Sequence, residues 1–283
     1  MGVKTKLTLQ QINSFFKSYE FISLNATKTG ISDTVYILKD NKNKKYILKL
    51  YENSSITEVI EEIEILNQIN NLDVSKAISF FIGYSKPIVL FSYKKAKHLN
   101  CIKKQHIIQI AQFLKNLHLI KPFNISLSKR FDLKQLLHSI DFKNDIKTKE
   151  LFFSKFQLVK DLTLVEDTLI HADIFPDNVS FYNDKLNAVF DFAHSCISDK
   201  NIDLSIVIIS WCFYHNKFDF ELIDIFLNSY SNDIKLSDLK IYLLYVSLYF
   251  SIKRYINIIN KNYINVTYQE FIFIFDEINN KIL

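Results

Sequence analysis

His171, Asp173, Asn178 and Asp191 lie close together in a chain of 283 residues. The first three form an H-x-D-x4-N pattern, and the fourth stands beyond a short apolar run. An aspartate can take the proton of an alcohol, and an amide oxygen beside a carboxylate suits a hard cation. Phosphoryl transfer from a metal-bound nucleotide to a hydroxyl needs these roles and little covalent chemistry from the protein. The chain has 7 His, 19 Asp and 25 Asn, so random placement gives about 0.04 matches to the pattern and chance explains it poorly. An Asx-rich turn that only caps backbone groups accounts for neither the spacing nor the Asp-Phe that follows.

These side chains need a scaffold. Val179 to Tyr182 and Leu186 to Phe190 read as two short strands joined by a turn at Asn183-Asp184-Lys185. Such a hairpin brings Asn178 and Asp191 together at its open end. Upstream, residues 20 to 51 carry a β signal, with strands at Val35 to Leu38 and Tyr46 to Tyr51. The polar turn Thr29 to Thr34 before them suits a phosphate-covering loop, with Gly30, Ser32 and Thr34 as candidates, although an ordinary hairpin fits as well. Lys49 interrupts an apolar strand. Alternation alone would turn it to solvent; with the downstream motif it becomes a candidate phosphate-binding lysine. Ser55 to Asn70 reads as a helix carrying Glu58, Glu61, Glu62 and Glu64. Glu62 is the preferred partner for Lys49, with Glu61 and Glu58 as alternatives. Ile78 to Tyr84 and Pro87 to Tyr93 read as strands, and the backbone around Phe91 and Tyr93 is placed to meet an adenine edge. After about residue 100 the period becomes helical: 107–118, 132–142, 147–161, 202–215, 219–230, 235–259 and 267–282. The division expected is 1–93, a nucleotide-binding part, and 94–283, a catalytic and acceptor-binding part.

Composition sets the class. Apolar residues make up 48 % of the chain and aromatics 14 %, with only 3 Gly and 3 Pro, so long regular elements and a packed core are expected. The net charge is +5, from Lys spread along the chain without a basic block; nucleic-acid and membrane partners are not expected. Cys101, Cys196 and Cys212 make no CxxC pair and no even set, which fits a reducing compartment. Met1 to Lys6 opens no signal-peptide apolar run. The reading is a soluble cytoplasmic protein, a monomer or homodimer.

At these residues the chain resembles the aminoglycoside-phosphotransferase-like kinases, a branch of the protein-kinase-like fold. Its closest likeness there is to homoserine kinases of that type. Gly30-Ile31-Ser32-Asp33-Thr34-Val35-Tyr36 is similar to their nucleotide loop, and Tyr46-Ile47-Leu48-Lys49-Leu50-Tyr51-Glu52 to their lysine strand. Ile170 to Val179 is similar to their catalytic signature. Asp203-Leu204-Ser205-Ile206, Ser210-Trp211-Cys212-Phe213 and the helix around Phe250 to Arg254 fit as well. The resemblance implies an α+β, bilobal fold with a small β-rich N-terminal lobe and a larger, mainly α-helical C-terminal lobe. It implies ATP and Mg2+ as cofactors, Asp173 as catalytic base, Asn178 and Asp191 as metal ligands, and His171 and Asp203 as structural support. It also implies L-homoserine as acceptor. Lys49 is expected in the superfamily, but homoserine kinases of this type often carry a neutral residue there. Ala193 replaces the Gly that protein kinases carry after Asp-Phe.

A free amino acid brings a carboxylate and an ammonium. Arg is the better bidentate carboxylate binder, and only Arg130 and Arg254 occur. Arg254 is the candidate for the carboxylate, against a surface or structural ion pair, with Asp177 and Trp211 as further lining; core filling on an apolar helix explains Trp211 equally well. The competing readings are a kinase for an aminoglycoside, choline or a sugar, and a catalytically silent nucleotide-binding pseudokinase.

Overall fold

The structure is a computed structural model that describes residues 3–27, 33–83, 86–95, 99, 101–121, 127, 131–143, 145–260 and 267–282. The N-terminal part is organised around one antiparallel sheet. Helix α1 (Leu9–Phe15) starts at a capping box in which Thr8 and Gln11 serve each other's backbone. Strands β1 (Phe21–Ala26), β2 (Thr34–Asp40) and β3 (Lys45–Leu50) follow, then helix α2 (Ile56–Gln68) and strands β4 (Ala77–Gly83) and β5 (Lys86–Ser92). The strand order is β1-β2-β3-β5-β4.

Strand alternation divides this sheet between two cores. Tyr36, Leu38, Leu48, Leu50, Ile88 and Leu90 pack with Ile12 and Phe16 on the α1 side. Val89 and Phe91 pack with Val59, Ile65 and Leu66 of α2 on the other. Lys49 lies between Leu48 and Leu50 in sequence, so the period of two turns it to the α2 side, where its side chain is only 12 % exposed.

The C-terminal part is helical. Its elements are α3 (Lys104–Leu119), α4 (Leu133–His138), α5 (Ile146–Gln157), β6 (Thr168–Ile170), β7 (Val179–Tyr182), β8 (Lys185–Val189), β9 (Cys196–Ser198), α6 (Lys200–Trp211), β10 (Phe213–Tyr214), β11 (Lys217–Phe218), α7 (Phe220–Tyr230), α8 (Leu236–Ile259) and α9 (Tyr268–Lys281). Helix α6 is buried on nearly every side, as expected of the central helix in a packed layer. Among the described residues no helix is long and apolar enough to cross a membrane.

Three boundaries differ from the sequence reading, among them the helix expected over 147–161, which ends at Gln157. The helix expected over 202–215 ends at Trp211. His215 and Asn216 take φ of 50° and 60°, the geometry of a tight two-residue hairpin turn, and Phe213 pairs with Phe218 instead. The helix expected over 132–142 stops at His138, where Ser139 caps it. The hairpin of β7 and β8 turns where expected, with Asn183 and Asp184 at φ of 51° and 59°.

Candidate active site

Asp173 stands in the loop between β6 and β7. β6 pairs with β9, Ile170 opposite Cys196, so His171 leaves the ladder at a fixed point. Ala172 has a φ of 63°, a left-handed conformation that an L residue keeps only when its surroundings hold it. Asp203 of α6 holds it: its carboxylate accepts from His171 N at 2.7 Å and from Ala172 N at 2.8 Å. His118 Nε2 lies 3.1 Å from the same carboxylate, and His118 Nδ1 lies 2.9 Å from Tyr230 Oη. His171 Nε2 faces Phe190 O at 2.9 Å, and His171 Nδ1 accepts from Asp173 N at 3.2 Å. One donating and one accepting ring nitrogen is the neutral imidazole, and burial lowers the His171 pKa in the same sense.

Asn178 closes on Asp173. Its Nδ2 donates to Asp173 O at 2.7 Å and to Asp173 Oδ2 at 2.8 Å, which leaves its side-chain carbonyl oxygen for another partner. Phe190 N donates to Asn178 O at 2.8 Å. That bond at the open end of the hairpin sets Asp191 beside Asn178.

Asp191, with a φ of 61°, turns back to the sheet. Lys49 Nζ donates to Asp191 Oδ1 at 2.8 Å. The same ammonium is 3.5 Å from Asp33, 3.9 Å from Glu62 and 4.4 Å from the centre of the Tyr51 ring. Tyr51 donates its hydroxyl to Glu62 at 2.8 Å. Burial acts to lower the Lys49 pKa, but Asp191, Glu62, Tyr51 and Asp33 together carry it well above the ordinary value. Burial also opposes the charge on Asp191; Lys49 outweighs it and holds that carboxyl well below the usual range. Burial pushes Asp173 up to about 7. Lys253 pulls it down, while Asp191 and Asp177 push it further up. Two carboxyl groups in one site are thereby set apart, one firmly ionised and one poised near neutrality.

Among the described residues no group of three or more His, Cys, Asp or Glu is fit to hold a metal. Asn178 and Asp191 offer two oxygens. Mg2+ is commonly held by one or two protein oxygens, with phosphate and water filling the rest. The donor set therefore fits a nucleotide-bound cation rather than a protein cage.

The other residues singled out in the sequence fall in three groups. Lys49, Glu62, His171, Asp173, Asn178, Asp191 and Asp203 come together as described. Asp177 is exposed in the 3-10 turn Pro176–Asn178, close enough for its charge to reach Asp173. Arg254 is on α8, with its Nε buried and without an acceptor. Gly30 and Ser32 lie outside the described residues.

Three expectations are corrected. Thr34 is fully buried; its hydroxyl donates to Glu52 at 2.6 Å and accepts from Lys4 N and Thr5 N, so it pins the leading segment to the sheet rather than facing a phosphate. The Phe91 ring is sealed in the core, and its backbone sits between Ile47 and Ala77 inside the ladder. Tyr93 lies past the strand end, its ring 5.3 Å from the Lys45 ammonium. Trp211 is 1 % exposed and donates its indole N–H to Ile174 O at 2.8 Å. It supports the catalytic loop from beneath and does not face an acceptor pocket.

Asp33, Tyr51 and Lys253 were not found from the sequence as site residues. Asp33 is hidden in a polar turn. Tyr51 follows Lys49 by two and shares its face, which is a signal that strand alternation offers. Lys253 follows Tyr249 and Phe250 at helical spacing, and only the placement of those rings reveals it.

Comparison with known proteins shows the family. The profile of the phosphotransferase enzyme family matches residues 24–235. The chain belongs to that family. It is 25 % identical over 231 residues to a homoserine kinase from Methylobacillus glycogenes, covering 75 % of this chain and 72 % of the relative. Among solved structures it is similar to amicoumacin kinase hAmiN in complex with AMP-PNP, Ca2+ and Ami, with a TM-score of 0.72 and 16 % identity over 96 % of this chain and 92 % of that one. It is also similar to choline kinase LicA from Streptococcus pneumoniae, with a TM-score of 0.68 and 18 % identity over 95 % of each chain. The bilobal, protein-kinase-like fold expected from the sequence is the one observed.

Proposed function

We propose that this phosphotransferase uses ATP and Mg2+ to phosphorylate the side-chain hydroxyl of L-homoserine, giving O-phospho-L-homoserine for threonine biosynthesis. The observation that carries the kinase reading is the junction of Lys49 from the sheet with Asp191, Asn178 and Asp173 from the hairpin and its leading loop. The homoserine reading is supported by relatives of that name along three quarters of the chain. In this reading Asp173 accepts the proton of the acceptor hydroxyl, and its carboxyl is poised near 7 for that transfer. Asn178 holds Asp173 in place through its amide nitrogen. Mg2+ held by the Asn178 carbonyl and Asp191 would supply charge neutralisation on the phosphoryl oxygens. Lys49 meets the phosphates from the sheet, and Glu62 fixes Lys49. Arg254 takes the acceptor carboxylate and Asp177 its ammonium. The boundary between the two working parts is placed near residue 93, and the protein is assigned to the cytoplasm.

The test is direct. Purified protein with Mg-ATP is offered L-homoserine, choline, kanamycin and simple sugars, with ADP release followed and the product examined by phosphorus NMR. Turnover of L-homoserine with a new phosphomonoester signal is expected. Strong turnover of kanamycin or choline with none of L-homoserine overturns the assignment.

A further inference from the structure

Lys253 sits one turn of α8 beyond Tyr249 and Phe250. Its ammonium is 5.6 Å from the centre of the Tyr249 ring and 5.8 Å from that of Phe250. The Phe250 ring meets Phe175 edge-on at 4.8 Å, and Phe175 N donates to Asp173 O at 2.8 Å. A short chain of rings thus fixes Lys253 against the loop that carries the catalytic base. Tyr249 is itself stacked on Phe131 at 3.8 Å, so the platform under the ammonium is rigid.

Lys253 and Asp173 lie close enough for each charge to act on the other. Yet among the described residues no carboxylate pairs with Lys253 or with its neighbour Arg254, and neither makes a hydrogen bond; Arg254 Nε is buried without an acceptor. A cation drawn out of water without an anion is unfavourable. Elsewhere in the site the chain removes that penalty: Lys49 has three carboxylates within reach. At Lys253 the carboxylates that act are Asp173, the base itself, and Asp191, neither in ion-pair contact.

We propose that Lys253, with Arg254, forms an anion subsite next to Asp173 that selects acceptors bearing a carboxylate as well as the reacting hydroxyl. This deepens the homoserine reading and rests on its assignment of Asp173 as base. A carboxylate entering here gains charge-assisted hydrogen bonds from both cations. A quaternary ammonium or polycationic acceptor adds a third positive charge beside two. The ring faces that would otherwise attract such a cation already carry the Lys253 ammonium. The acceptor amine contributes less to recognition than the carboxylate.

The experiment measures kcat and KM for L-homoserine, 4-hydroxybutyrate (carboxylate, no amine) and 3-aminopropan-1-ol (amine, no carboxylate). Wild type, Lys253→Met and Lys253→Arg are compared after melting curves show each variant folded. Wild type is expected to favour 4-hydroxybutyrate over 3-aminopropan-1-ol. At a pH well above neutral, where the base is ionised in both proteins, Lys253→Met is expected to raise KM for L-homoserine by about 10- to 100-fold, the weight of one charged hydrogen bond, with kcat within about threefold. Lys253→Arg is expected to recover most of that loss. If wild type phosphorylates L-homoserine and Lys253→Met leaves its KM unchanged, the subsite is wrong and the homoserine reading stands. If wild type ignores L-homoserine but phosphorylates 4-hydroxybutyrate with the same dependence on Lys253, the subsite stands and the homoserine reading falls. A preference for 3-aminopropan-1-ol, or turnover of no carboxylate-bearing acceptor, overturns both.

Discussion

Lys49 and Lys253 flank the same catalytic loop, and the chain treats them in opposite ways. Around Lys49 it gathers Asp33, Glu62 and Asp191. Around Lys253 it gathers aromatic rings and another cation, Arg254. The nucleotide side is therefore over-supplied with negative charge, which suits a divalent ion arriving with a polyphosphate. In the proposed reading the acceptor side sets two cations without ion-pair partners among the described residues, Lys253 and Arg254, beside Asp173, a carboxyl poised near neutrality, which suits an incoming anion. Asp173 lies between them, and its elevated pKa reflects its burial, reinforced by Asp191 and Asp177 and opposed by Lys253.

The largest test of this contrast acts on the residue in the middle. Asp173→Asn removes the base and is expected to lower kcat by about 10²- to 10⁴-fold, while the affinity for a non-hydrolysable ATP analogue stays within a few-fold. Unchanged turnover in that variant would take the base from Asp173 and dissolve the contrast.

Stability comes next. Lys49→Met strands three carboxylates around an apolar side chain, and a loss of about 3–5 kcal/mol is expected by analogy with broken buried ion pairs. Lys253→Met takes away the charge that favours ionised Asp173, which can answer by taking up a proton, and puts an apolar chain on an aromatic platform. Its stability should be unchanged or higher. Urea melts on both variants decide: equal losses would mean that the two lysines are held alike.

The smallest effect is in the pH profile. Asp173 acts as its ionised form, so kcat/KM should fall on the acid side through about 7 in the wild type. Lys253 favours the charged carboxylate, and its removal raises the Asp173 pKa. The acid limb of Lys253→Met, measured with saturating Mg-ATP withheld so that the free enzyme is reported, should therefore move to higher pH. A shift to lower pH would contradict the placement of Lys253.

Much of the catalytic half was legible before any coordinates. Asn183-Asp184 between two apolar runs calls for a left-handed turn, and that turn fixes which residues meet at the far end of the hairpin. Strand alternation around Lys49 left two faces open, and the α2 core chose between them. Other features left little trace. β6 and β9 are three residues each, too short for a period to show, yet their pairing aims the catalytic loop. Trp211 reads from the sequence as pocket lining or as core filler; in a helix buried all round, its one polar atom had to find a backbone carbonyl, and Ile174 supplied it. Lys253 carries no site reading in the sequence, because its placement depends on rings contributed by Phe131 and Phe175 from far along the chain.

One modest contact reaches further than its size suggests. Val74, on the connection from α2 to β4, bridges to Val189 of the catalytic hairpin, and Val189 N donates to Asp73 O at 2.8 Å. This main-chain stitch joins the two halves two residues ahead of Asp191. Because the tie runs through main-chain atoms, it survives any change of side chain at Val74 or Val189 that keeps the backbone path, and it fixes where the connection after α2 meets the hairpin that ends at Asp191.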